Sequence, residues 1–162
     1  MESSMEQKAF KLDELSKIDG DAAGAPGSLI IPTEAVFDLY QPIDPLTFCK
    51  VGNHTMVIFG QTGVFGRLLV DLTTGHVVEQ IRNDPEVALV NTSLAAFTEC
   101  LKVFINKLPL GELEDEDEEE ERNAQVAREI ESALRRVDPK AYTEDSFWYE
   151  ARWGVAIGNF TC

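Results

Sequence analysis

Two stretches of regular patterning place the rest of the chain. From Leu68 to Leu72, Leu68, Val70 and Leu72 alternate with Leu69 and Asp71, so one face is apolar and the other ends on a carboxylate. Thr73, Thr74 and Gly75 make a reversal, and glycine takes the positive φ such a turn needs. The return run, His76 to Ile81, sets Val77, Glu79 and Ile81 against His76, Val78 and Gln80. So short a connection forces antiparallel neighbours, which predicts a hairpin. Arg82-Asn83-Asp84-Pro85 is a turn cluster, and Val87 to Val90 a short apolar run. Asn91, Thr92 and Ser93 then offer three N-caps in a row. Beyond them Leu94, Phe97, Leu101, Phe104, Ile105 and Leu108 form a stripe of period near 3.6, a helix over 93–107 that needs an apolar sheet face to lie on.

The same criteria extend in both directions. Residues 1–19 carry Phe10, Leu12, Leu15 and Ile18 on a rough helical stripe, and Asp19–Ser28 reads as a small-residue linker, so 1–28 is expected to be partly flexible. Thr33 to Tyr40 places Val36, Phe37 and Tyr40 at helical spacing before Pro42 and Pro45. Phe48–Val51 and His54–Phe59 read as strands, giving a meander of three to five antiparallel strands between about 48 and 90. After Pro109-Leu110-Gly111, Val126, Ile130, Leu134 and Val137 mark an amphipathic helix over 122–137, stopped by Asp138-Pro139. The segment 142–157 predicts a last helix, capped by Thr143 or Asp145, with Phe147, Trp148, Ala151 and Val155 on one side. The fold class is α+β: a single domain over 1–162, a mostly antiparallel sheet with helices packed against it.

Charge narrows the function. The chain carries a net −15, and nine acids fall within Glu112–Glu121, interrupted only by Leu113. Like charges so close predict a disordered, solvated loop over 112–121. Even without them the chain is acidic, which disfavours nucleic acid and anionic membrane surfaces and favours a basic partner. Glu114, Asp115, Glu116, Asp117, Glu118 and Glu119 are therefore candidate partner-binding residues. Tyr149 and Trp153 join them, because Phe147, Trp148, Tyr149 and Trp153 cannot all be buried on one helical face and exposed aromatics anchor interfaces. No apolar run approaches the ~20 residues of a membrane span, and no signal-peptide pattern is visible, so a cytoplasmic protein is expected; a monomer is favoured, with the oligomeric state left open.

Catalytic hardware is sparse. Gly60, Gly63 and Gly66 lack the Lys-Ser/Thr of a phosphate loop and read as hairpin turns. Cys49, Cys100 and Cys162 have no ligand spacing, and His54 and His76 are poorly placed for a metal. Asp71 is expected to accept N–H groups of its own turn. No catalytic residue, metal or cofactor is expected. A hydrolase or transferase would need polar convergence of the kind a buried acid–histidine pair provides.

LLVDLTTGHVVEQI, followed by VNTSLAAFTECLKVF, resembles the core of the SUKH superfamily of bacterial toxin-immunity proteins, closest to its fourth group. VDPKAYTEDSFWYEARW resembles that family's Asp-Pro-x-Ala segment and Trp-bearing helix. The resemblance implies a SUKH-like fold and a protein of a polymorphic toxin system that binds and occludes a cognate toxin of nuclease or nucleic-acid deaminase type, without chemistry. It also implies that Asp71, Gly75, Asn91, Ser93, Asp138, Pro139 and Trp148 are fold determinants. The alternative is an adaptor or regulatory interaction module on the same scaffold.

Overall fold

The computed structural model describes residues 5–11, 28–82 and 84–160. Strands β1 (Gln7–Lys11) and β2 (Ser28–Pro32) pair antiparallel as a two-stranded sheet. A five-stranded antiparallel meander follows in the order β3-β4-β5-β6-β7: Gln41–Val51, His54–Thr62, Gly66–Asp71, Val77–Ile81 and Ala88–Asn91. Three helices complete the α+β architecture, α1 (Leu94–Lys107), α2 (Glu116–Val137) and α3 (Phe147–Ala156). The chain forms two compact units, residues 5–98 and 99–160, with α1 beginning in the first and ending in the second.

In the first unit β5 and β6 form the expected hairpin, with Val70 opposite Val77 and Leu68 opposite Glu79. Gly75 takes φ +79° in the turn, where its N–H donates to the Asp71 carbonyl at 2.7 Å. Alternation divides the sheet into two apolar faces. Met56, Ile58, Leu69 and Val78 pack together on one. Val57, Phe59, Leu68, Val70 and Val77 lie on the other and are fully or almost fully buried.

That second face carries an aromatic cluster. The Phe97 ring, at the start of α1, meets Phe59 and Tyr40 edge-on, each with centroids 5.5 Å apart. The register slips between Ile58 and Gly60, so Phe59 and Gly60 both turn toward this face. Gly60 leaves the room that Tyr40 fills: a Cβ there would come within 2.5 Å of the Tyr40 ring. The Tyr40 hydroxyl donates to the Pro32 carbonyl at 2.6 Å.

Several expectations need correction. Phe10 lies in β1, not in an N-terminal helix; Leu12, Leu15 and Ile18, and the linker as far as Gly27, fall outside the described residues. Thr33–Tyr40 is no helix but a tight turn closed by a Val36–Tyr40 bridge, because Phe37 takes a left-handed φ of +49° that breaks helical progression. The acidic run, expected as a disordered loop over 112–121, is helical from Glu116 onward.

The second unit is helical. α2 and α3 pack on each other, and Ala127, Ile130, Leu134, Trp148, Ala151 and Val155 are buried. The Trp148 ring lies 5.6 Å from that of Phe104. Ser93 caps α1 by accepting the Ala96 N–H, and Ser146, rather than Thr143 or Asp145, caps α3 by accepting the Tyr149 N–H. Asp138, buried, closes α2 through its N–H to the Leu134 carbonyl.

Gly60→Ala is expected to lower stability by about 1–3 kcal/mol in chemical denaturation, because the added methyl must displace the Tyr40 ring. Gly111→Ala, with open space around its Cβ position, should stay within about 0.5 kcal/mol of the unsubstituted chain.

Candidate functional site

The acidic run begins α2 through local chemistry. Asp115 is the N-cap, its Oδ1 accepting the N–H groups of Asp117 at 2.9 Å and Glu118 at 3.3 Å. Glu119 Oε2 reaches back to accept the Leu113 N–H at 3.2 Å. Glu116, Asp117, Glu118 and Glu119 fill the first turn, and Arg135 and Arg136 the last. This distribution opposes the helix dipole at both ends, which offsets part of the repulsion among the acids.

Glu116, Glu119, Glu120 and Asn123 line one side of a cleft of about 510 Å³, with Ala156, Ile157 and Gly158 on the other. Gly158, at φ +87°, turns the chain just after α3, and Asn159 and Phe160 close back over Gly154. Asn123 is buried, its Oδ1 accepting from the Arg122 guanidinium. Of the residues expected from the acidic run, Glu116 and Glu119 enter the cleft. Asp115 spends its carboxylate on the cap, and Glu114, Asp117 and Glu118 are exposed outside the lining.

Tyr149 and Trp153 gather around one cation. The Arg152 guanidinium lies 5.0 Å from the Tyr149 ring and 5.6 Å from that of Trp153. Arg152 is anchored because its Nε donates to the Tyr142 hydroxyl at 3.1 Å, which in turn donates to Glu131 at 2.8 Å. Burial holds the Tyr142 hydroxyl above its ordinary range, keeping it a neutral donor. Trp153 is half exposed, and Ile157, one turn further on, is 59% exposed. Glu120, Ile157 and the Arg152–Glu131 network were not singled out from the sequence; the four-residue spacing of Trp153 and Ile157 was the available signal.

The first unit contains an acid–histidine pair. His54 Nδ1 and Asp71 Oδ2 are 2.6 Å apart, although the angles are not those of a hydrogen bond. The other oxygen of Asp71 accepts the Thr73 N–H at 2.8 Å and the Thr74 N–H at 3.4 Å, the expected turn role. In the sheet register His54 faces Val51 and Asp71 faces Met56, so the neighbours on this face are apolar. Burial pushes the Cys49 thiol up, against a smaller lowering by Arg67, so it is not an activated nucleophile. The pair brings the start of β4 beside the end of β5, with the other Asp71 oxygen committed to its own turn. Among the described residues no three His, Cys, Asp or Glu side chains are grouped to hold a metal ion.

The family model for SUKH-4 immunity proteins matches residues 45–153. The chain belongs to the SUKH-4 immunity protein family. The match begins inside β3 and ends in α3, so it takes in the meander, α1 and α2. Comparison with curated proteins and with solved structures gave no match. Membership in the SUKH-4 family brings an immunity function, a cognate toxin as partner and a non-catalytic role. No helix of the described residues is long and apolar enough to cross a membrane.

Asp71→Ala removes two accepted N–H bonds and the His54 partner from a buried position, and should cost about 1–3 kcal/mol of unfolding free energy. Asp71→Asn, which keeps an acceptor oxygen for the turn, is expected to cost less in the same denaturant titration.

Proposed function

We propose that this chain neutralises a basic toxin that acts on nucleic acid, of nuclease or deaminase type, by binding it and covering its phosphate-binding surface. The observation that carries this reading is the ordered acidic start of α2, where Glu116, Glu119 and Glu120 share a cleft with the exposed Ile157. Carboxylates fixed on a helix offer a cationic surface the charge it meets on a phosphate backbone, and they do so without first having to be ordered. Trp153, held beside Arg152, supplies an amphipathic anchor of the type that carries interface energy. Glu114, Asp117 and Glu118 contribute to the long-range field that speeds encounter.

In this reading inhibition is steric and electrostatic. The chain works as a cytoplasmic monomer in a polymorphic toxin system, and its net −15 keeps it from competing with the toxin for nucleic acid.

The test is co-expression with the product of the adjacent upstream reading frame, scored by growth and by co-purification. Rescue of growth with a 1:1 complex is the expected result; toxicity that this chain leaves unrelieved, with no complex, would sink the reading. The triple substitution Glu116→Gln, Glu119→Gln, Glu120→Gln should weaken the complex about tenfold or more at low salt and flatten its salt dependence. Trp153→Ala is expected to raise Kd by a similar factor, mostly through faster dissociation in surface-capture kinetics.

A further inference from the structure

Four of the nine exposed large apolar side chains among the described residues stand at one end of the five-stranded sheet. Val64 and Phe65, 77% and 59% exposed, form the tip of the β4–β5 hairpin. Ile81, half exposed, pairs with Gly66 beside that tip, and the Phe65 carbonyl accepts the Arg82 N–H at 2.8 Å. Phe37 is brought to the same end by its neighbour, since the Asp38 carbonyl accepts the Gly63 N–H at 3.0 Å. The tip is braced on both sides, so these apolar groups are presented in fixed positions.

Among them lies Glu79. Its carboxylate sits over Gly66, so close that a Cβ on that glycine would come within 3.0 Å of Oε2. It shares its sheet face with Leu68 and Ile81, while Arg67 points to the opposite face and bonds to Gln80. No hydrogen bond or ion pair reaches the Glu79 carboxylate among the described residues. Burial alone raises its pKa, which marks a charge that has lost water and gained no partner. Such a charge is costly in the free protein and gains more than an exposed one from an incoming cation, since part of its desolvation is already complete.

We infer that this end of the sheet is a second contact for the toxin, with Glu79 receiving a lysine or arginine whose stem lies along Phe65 and Ile81. The inference rests on the immunity reading and adds to it a surface distinct from the acidic cleft. The occupant follows from the chemistry: an apolar patch of this kind marks an interaction site, and the unpaired carboxylate beside it selects a cation-bearing partner over a second copy of this acidic chain.

The test measures binding of the full chain to the product of the adjacent upstream reading frame. Glu79→Gln is expected to raise Kd about tenfold, and Val64→Ser with Phe65→Ser at least as much. Unfolding midpoints matching the unsubstituted chain would show that these variants fold. Glu144→Gln, on an exposed turn, should leave Kd unchanged. Amide exchange should slow at residues 64–66 and 79–82 on complex formation. Variants at 64, 65 and 79 that bind like the unsubstituted chain, while the α2 triple variant loses affinity, would overturn this contact and leave the immunity reading standing. No complex with the unsubstituted chain would overturn both.

Discussion

The first unit depends on the burial of one tyrosine. Tyr40 has no exposed surface, yet its hydroxyl must be hydrogen-bonded, and both demands are met at once. The ring takes the space that Gly60 leaves at the bulge of β4, meets Phe59 and Phe97, and aims its hydroxyl at the carbonyl that ends β2. Three segments far apart in sequence are thereby fixed around one side chain. Burial drives the hydroxyl far above its ordinary pKa, which favours the neutral donor form that the Pro32 carbonyl needs. The extra residue in β4 is what lets two successive positions turn toward the same aromatic cluster.

The second unit answers a different problem, that of holding like charges close together. A run of nine acids disfavours any compact state unless its field is opposed. The Asp115 cap, the helix dipole and the return bond from Glu119 to Leu113 oppose it within one turn. The acids then hold a fixed direction, and a partner that meets them finds a surface already arranged. The toxin contact proposed above draws on this arrangement; in the first unit two polar side chains are engaged in other ways. Asp71 serves its turn and His54, and Cys49 is held as a thiol.

The hairpin of β5 and β6 and helix α1 were legible in the sequence because local pattern and burial coincide there: alternation gives the two sheet faces, and the 3.6 period gives the stripe. The turn role of Asp71 was legible for the same reason, since it depends on neighbours two and three residues away. Helix 33–40 was misread because Val36 and Tyr40 are spaced alike in a helical turn and in a bridge around Phe37, and only tertiary contact chooses between them. The order of the acidic run was missed because charge repulsion is visible in composition, whereas the cap that offsets it is one aspartate among nine acids. Of the expected interface residues, Glu116, Glu119, Tyr149 and Trp153 fall into clusters. Ile157 left only its four-residue spacing from Trp153 as a signal, and Glu79 left none, since a missing partner is visible only in the folded chain.

The two edges of the meander differ in sequence but share one property. β3 carries Pro42 and Pro45, which lack the N–H a neighbouring strand would need, and its pairing shifts between Pro42 and Thr47. β7 is only four residues long. The proline-bearing first half of the β3 edge and the short β7 edge thus offer little regular backbone for a strand from another chain to add to. The two contacts proposed above use side chains and not main-chain ladders, and side chains can be exchanged one at a time as a partner changes without unpicking the sheet that carries them.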